Sequence, residues 1–198
     1  MMLNDGQDPV DRTNIYLVGP MGSGKTTIGQ RLARKLGLAF YDSDQEIEAR
    51  TGASVNLIFD IEGEAGFRER ERQVLAELTA QRGVLLATGG GTVVSRENRE
   101  LLGSTGIVVY LRTSVRQQLE RLRRDRSRPL LQTRNKEHKL KELAEQRDPL
   151  YEELADLVFP SRSRNIETAV NQIHDAIRTF RAEATRTHSE SETERTES

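Results

Sequence analysis

Gly19-Pro20-Met21-Gly22-Ser23-Gly24-Lys25-Thr26 follows the apolar run Ile15-Tyr16-Leu17-Val18 and opens a stretch of helical periodicity. It is a complete G-x-x-x-x-G-K-[ST] phosphate-binding loop in the strand-then-helix setting that such a loop needs. The backbone has to curl round phosphate oxygens with successive N–H groups turned inward, which glycine allows at the tightest points. Lys25 adds a mobile cation and Thr26 a hydroxyl suited to Mg²⁺. The helix that starts there offers its unpaired N–H groups and positive dipole end to the same phosphates. Gly22, Ser23, Gly24, Lys25, Thr26 and Thr27 are therefore the expected contacts to a nucleoside triphosphate, with Mg²⁺ as its companion.

Outward from the loop, apolar runs rich in β-formers alternate with helical patterns. The pattern predicts strands over 14–18, 39–42, 83–88, 106–111 and about 156–159, and helices over 25–36, 44–51, 54–60, 66–81, 95–102, 114–123, 136–147 and 166–180. Val84-Leu85-Leu86-Ala87 and Ile107-Val108-Val109-Tyr110-Leu111 are apolar without alternation, as in strands buried on both faces. The expected fold is three-layer α/β/α around a five-stranded parallel sheet. Its limits are residues 13–180; polar tails at 1–12 and 181–198, without a hydrophobic period, are expected to be disordered.

The 198 residues suit one domain, with 35% hydrophobic and 31% charged residues. No apolar stretch approaches the roughly 20 residues of a membrane span. Cysteine is absent, which excludes disulfides and thiolate metal sites. Met1-Met2-Leu3-Asn4-Asp5 lacks the basic-then-apolar pattern of a secretory signal, so a cytoplasmic protein is expected. A net charge of −1 provides no global field for nucleic acid, and neither a nucleic-acid nor a membrane partner is expected. Nothing calls for more than a monomer.

Further groups gather at the predicted carboxyl ends of the strands, where an open parallel sheet places its ligands. Asp42 and Asp44 end the second strand. They can divide between a Mg²⁺ shell and a substrate hydroxyl, or one can cap the helix that follows. Gly89, Gly90 and Gly91 end the third strand, as a flexible loop or as backbone that a ligand approaches closely. Arg68, three residues before Glu71, and Arg147 in Arg147-Asp148-Pro149-Leu150-Tyr151 offer planar forks for an anionic group, Arg147 at a helix junction. Arg70 and Arg72 read as ordinary surface pairs. The segment 121–135 carries Arg121, Arg123, Arg124, Arg126, Arg128 and Arg134 round Pro129. Such a run is a solvated surface, or beside a phosphate loop a lid that closes on the nucleotide and brings a cation to the moving phosphoryl group. His138, His174 and His188 lack metal-ligand spacing and are assigned no role.

Taken in order, Gly19–Thr26, Asp42-Ser43-Asp44, Gly66-Phe67-Arg68, Gly89-Gly90-Gly91, Arg128-Pro129-Leu130-Leu131 and Arg147-Asp148-Pro149-Leu150-Tyr151 resemble the shikimate kinase family over roughly residues 12–180. The resemblance implies ATP as co-substrate, Mg²⁺, and phosphorylation of the 3-hydroxyl of shikimate on the way to chorismate and the aromatic amino acids. It implies that Lys25 contacts the β- and γ-phosphates, Thr26 ligates Mg²⁺ and Asp42 holds the outer shell of the metal. Asp44 would hold the ring hydroxyls and accept the proton. Arg68 and Arg147 would clamp the carboxylate beside Gly89, Gly90 and Gly91, with Gly90 donating its N–H. Arg128 would reach the phosphates from the lid, and Arg164 would stack on adenine. Two other readings share the loop: another small-metabolite kinase, such as a gluconate kinase, and a nucleotide-dependent switch or binding module. Against a GTP switch, Asn135-Lys136-Glu137-His138 ends in His where the guanine-reading Asn-Lys-x-Asp signature needs Asp.

Overall fold

The computed structural model describes residues 13–123, 135–160 and 165–196. The tail 1–12, lid residues 124–134 with Arg128, and Arg164 lie outside the described residues. The strands β1 (Asn14–Val18), β2 (Ala39–Asp42), β3 (Val84–Ala87), β4 (Gly106–Arg112) and β5 (Leu157–Pro160) form one sheet in the order β2-β3-β1-β4-β5. Every pairing is parallel. The chain leaves β1, visits β2 and β3 on one side, then crosses to β4 on the other, so β1 lies between β3 and β4. That reversal leaves a crevice at the carboxyl ends of the central strands.

Side-chain alternation along the strands builds the two outer layers. Ile15, Leu17, Leu85, Ile107 and Val109 face α1 (Lys25–Leu36) and α7 (Ile166–Thr196), meeting Ile28, Leu32, Val170, Ile173 and Ile177. Their neighbours Tyr16, Val18, Leu86, Val108 and Tyr110 pack on the opposite face against α2 (Ser43–Thr51), α3 (Val55–Thr79), α4 (Arg96–Thr105) and α6 (Lys136–Leu154). The three-layer α/β/α fold with a five-stranded parallel sheet follows from strands buried on both sides. A short helix, α5 (Val115–Arg121), follows β4 and starts with a Ser114/Gln117 capping box.

Three helices depart from the pattern read in the sequence. The two helices expected over 54–60 and 66–81 run together as α3, broken at Gly63, where φ is 70° and ψ −177°. Helix α6 does not stop at 147 but continues through Pro149 to Leu154, so Arg147 sits within a helix and not at a junction. An interior proline costs about 3 kcal/mol. Leu140, Leu143 and Tyr151 are buried along the same stripe as Arg147, at roughly 1.5–3 kcal/mol per large apolar side chain, which outweighs that cost. Helix α7 runs to Thr196, so residues 181–196, expected to be disordered, have helical backbone. That stretch has no Gly or Pro to stop it and includes good helix formers such as Ala182, Glu183 and Ala184. Arg181 also donates to the Thr13 carbonyl, at 3.0 Å.

Candidate active site

The phosphate loop joins β1 to α1 across the crevice. Gly22 and Gly24 have φ of 76° and 93°, conformations that L side chains rarely adopt, which explains the glycines at those points of the curl. No side chain caps α1, whose cap residue is Gly24, so its first N–H groups and dipole face the loop. Lys25 Nζ donates to the carbonyls of Gly19 (2.7 Å) and Pro20 (3.0 Å). Ser23 is buried and is absent from the walls of the cleft; its hydroxyl accepts from Lys25 at 3.4 Å.

Asp42 serves two elements at once. One carboxylate oxygen accepts the N–H groups of Asp44 and Gln45, capping α2. The other accepts the Thr26 hydroxyl at 2.7 Å. Of the alternatives read in the sequence, the helix cap is present, and the second oxygen is turned to the Thr26 hydroxyl. The paired oxygens of Thr26 and Asp42 form a hard donor set that suits Mg²⁺, an ion which usually takes one or two protein ligands and completes its shell with water and phosphate. Among the described residues no cluster of three or more His, Cys, Asp or Glu could hold a metal.

The loop opens onto a cleft of about 460 Å³ that also takes in Thr27, Asp42, Asp44, Arg68, Arg147 and the glycine triplet. Val55, Phe59 and Phe67 supply an apolar wall. The triplet is held in place by its own carbonyls and by one amide. Gly89 N–H donates to the buried Ser43 hydroxyl at 2.9 Å. The carbonyls of Gly89 and Gly91 accept from Thr92 and Val94 N–H in the 3-10 turn Thr92–Val94. The Gly90 carbonyl accepts from Arg147 Nη1 (3.1 Å) and the Tyr151 hydroxyl (2.5 Å).

Arg68 lies across Gly91: a Cβ added there would stand 2.1 Å from Arg68 Nη2. Its guanidinium donates to Glu71 (2.8 Å) and Glu64 (3.0 Å). Glu71 is fully buried and also accepts the Thr92 hydroxyl at 2.5 Å. Burial alone would lower the pKa of Arg68, but Glu71 with Glu64 more than offsets this and raises it. Arg147 is different. Burial lowers its pKa, the charge of Arg68 adds to the effect, and its Nε is buried without a hydrogen-bond partner. A buried cation with an unmet donor, facing a cleft shared with a second arginine, is the electrostatic profile of an anion site. The Asp44 carboxylate lies against the start of the triplet, 2.9 Å from where a Gly89 Cβ would stand. Arg70 and Arg72 pair with the partly exposed Glu62 and Glu69, as surface residues do.

The structure therefore brings together Lys25, Thr26, Asp42, Asp44, Arg68, Gly89, Gly90, Gly91 and Arg147. From the basic segment, Arg121 donates to the Gly22 carbonyl at 2.8 Å and Leu122 packs beside Gly22. Ser43 and Tyr151 stand inside motifs quoted from the sequence but were given no role there, and Thr92 was not singled out. Tyr151 joins Arg147 only once the helix is known to pass through Pro149.

Comparison with known proteins narrows the chemistry. The family model for shikimate kinase matches residues 21–178. The shikimate kinase of Methylococcus capsulatus is 54% identical over 166 residues, covering 84% of this chain and 93% of that protein. The structure of the Acinetobacter baumannii shikimate kinase in complex with shikimate superposes with a TM-score of 0.83 at 50% identity, covering 85% and 94% of the two chains. A gluconokinase from Sinorhizobium meliloti aligns with a TM-score of 0.61 at 17% identity, over 89% and 98%, a likeness of fold alone. A family match over most of its length and relatives above half identity establish that this chain belongs to the shikimate kinase family.

Proposed function

We propose that the protein transfers the γ-phosphoryl group of ATP to the 3-hydroxyl of shikimate, giving shikimate 3-phosphate and ADP. One observation carries the proposal: Arg68 and Arg147 meet beside Asp44 and the glycine triplet in the cleft that also holds the phosphate loop. An anionic acceptor clamped there has its hydroxyls toward Asp44 and the triphosphate on the far side. Phosphoryl transfer is mainly a matter of such positioning and of stabilising charge.

In this reading Lys25 and the amides of Gly22, Ser23, Gly24, Thr26 and Thr27 hold the β- and γ-phosphates. Thr26 and Asp42 hold Mg²⁺, which when bound neutralises phosphate charge. Asp44 orients the 3-hydroxyl and accepts its proton as the oxygen attacks in line. Arg68, Arg147 and the Gly90 N–H bind the carboxylate. Val55, Phe59 and Phe67 cover the ring and exclude water, a wall better matched to a cyclohexene ring than to the open polyol chain of gluconate. Arg128 from the lid and Arg164 at adenine complete the reading. We further infer that a catalytic unit over 13–180 acts as a cytoplasmic monomer in aromatic amino acid biosynthesis, without nucleic-acid or membrane partners. The near-neutral net charge of −1 supports the lack of a nucleic-acid partner, and among the described residues no helix is long and apolar enough to cross a membrane.

The test is coupled ADP release with ATP and Mg²⁺ in the presence of shikimate, gluconate or no acceptor. Release that depends on shikimate is expected. Activity with gluconate alone, or hydrolysis indifferent to acceptor, would overturn the assignment.

A further inference from the structure

Tyr151 is fully buried, stacks on Tyr110 with ring centroids 4.9 Å apart, and spends its hydroxyl on a single backbone oxygen, the Gly90 carbonyl. At 2.5 Å this is at the short end for O–H···O. Burial pushes the Tyr151 phenol well above its usual range, so it remains a donor at any working pH. Tyr110 in turn donates to Asp148 at 3.1 Å, which leaves the Tyr151 hydroxyl to Gly90.

The geometry of the triplet gives that bond a consequence in the cleft. A peptide unit is planar and trans, so its carbonyl and the following N–H point to opposite edges. Thr92 N–H fixes the Gly89 carbonyl and hence the Gly90 N–H. The Gly90 carbonyl, held by Tyr151 and Arg147, fixes the Gly91 N–H in the same way. If it turned the other way, the Gly91 N–H would turn with it and Arg147 would lose the backbone oxygen that holds one edge of its guanidinium at the cleft. Glycine at 90 has no side chain to resist such a turn. Arg147 already donates to the same carbonyl at 3.1 Å, so without the Tyr151 hydroxyl that guanidinium alone would hold it.

We propose that Tyr151 is a positioning residue for acceptor binding: its hydroxyl holds the Gly90 carbonyl against α6, which keeps the Gly90–Gly91 amide edge and the Arg147 guanidinium set for the carboxylate of the acceptor. The inference rests on shikimate being that acceptor. It acts through Gly90 and Arg147, so it should be felt in acceptor affinity and not in the chemistry or in ATP binding.

Steady-state kinetics of Tyr151→Phe, which keeps the ring and its stack, test this. The KM for shikimate is expected to rise about five- to tenfold, the size of one lost hydrogen bond, with kcat and the KM for ATP within about twofold. Tyr110→Phe removes a hydroxyl from the same aromatic stack but leaves the Gly90 carbonyl bonded, and its KM for shikimate should stay within about twofold of wild type. A wild-type KM in Tyr151→Phe would overturn the proposal. So would an equal rise in both variants, which would assign the effect to loosened packing. Wild-type protein without shikimate-dependent turnover would refute the proposed function itself, and this inference with it.

Discussion

Gly91→Ala separates the requirements of the fold from those of the site. Gly91 has φ of −102° and ψ of −5°, which alanine adopts without strain. The added methyl would nevertheless stand 2.1 Å from Arg68 Nη2 and 2.7 Å from its Cζ, against the 3.4 Å at which ordinary contact begins. The guanidinium has to retreat by more than an ångström, and as the end of a flexible side chain it can. Its hold on a carboxylate then weakens by about the worth of one hydrogen bond to a charged group, roughly 1.5–3 kcal/mol, or a KM for shikimate about tenfold to a hundredfold higher. Stability should hardly move. Replacing glycine gains up to about 1 kcal/mol through the unfolded chain, which offsets part of a loosened Arg68–Glu71 contact, and a shift in Tm of less than about 4 °C follows. The KM for ATP should change by less than about twofold, since Lys25 and Thr26 are untouched. The assay is ADP release against shikimate concentration, with a thermal melt on the same preparation. A KM for shikimate within about twofold of wild type would refute the placing of the Arg68 guanidinium over Gly91 in the acceptor site.

Asp44→Asn should lower kcat by at least about a hundredfold, the usual scale of a positioned proton acceptor, with little change in ATP affinity measured by equilibrium binding; small, equal effects on both would argue against that role. Lys25→Ala should abolish turnover, to below about one part in a hundred, while circular dichroism shows an intact fold; an active variant would rule out the phosphate-loop assignment. Burial raises the pKa of Asp148, although the Tyr110 hydrogen bond works against it. A folded-state pKa above the unfolded one means that the native protein binds more protons, so this group's contribution to stability falls as pH rises from the unfolded pKa, near 4, through the folded one. The Tm of Asp148→Asn minus that of wild type should therefore be more positive at pH 7 than at pH 4, and a difference independent of pH would contradict this.

The parts of the fold legible in the sequence were those that depend on local pattern. Apolar runs at Val84-Leu85-Leu86-Ala87 and Ile107-Val108-Val109-Tyr110-Leu111 marked strands buried on both faces, and the glycine and lysine spacing of the loop marked its ligand. The Arg68–Glu71 pair was legible too, because three residues of helix place the two side chains together. What escaped was set by tertiary packing. Pro149 reads as a helix stop, and only the burial of Leu143, Arg147 and Tyr151 shows why α6 passes through it. Ser43 gives no local sign that its hydroxyl will meet the Gly89 amide, which lies 46 residues away in the chain. The burial of Glu71 and its bond to Thr92 likewise exist only once β3 and α3 are packed together. The helical course of 181–196 was hidden because its composition lacks a hydrophobic stripe.

The most direct measurement is phosphorus and proton NMR of the product formed from ATP, Mg²⁺ and shikimate. A phosphate ester at the 3-position in equal amount to the ADP released is expected. ADP without a ring ester, or an ester at another hydroxyl, would contradict the joint placement of the acceptor by Asp44, Arg68 and Arg147.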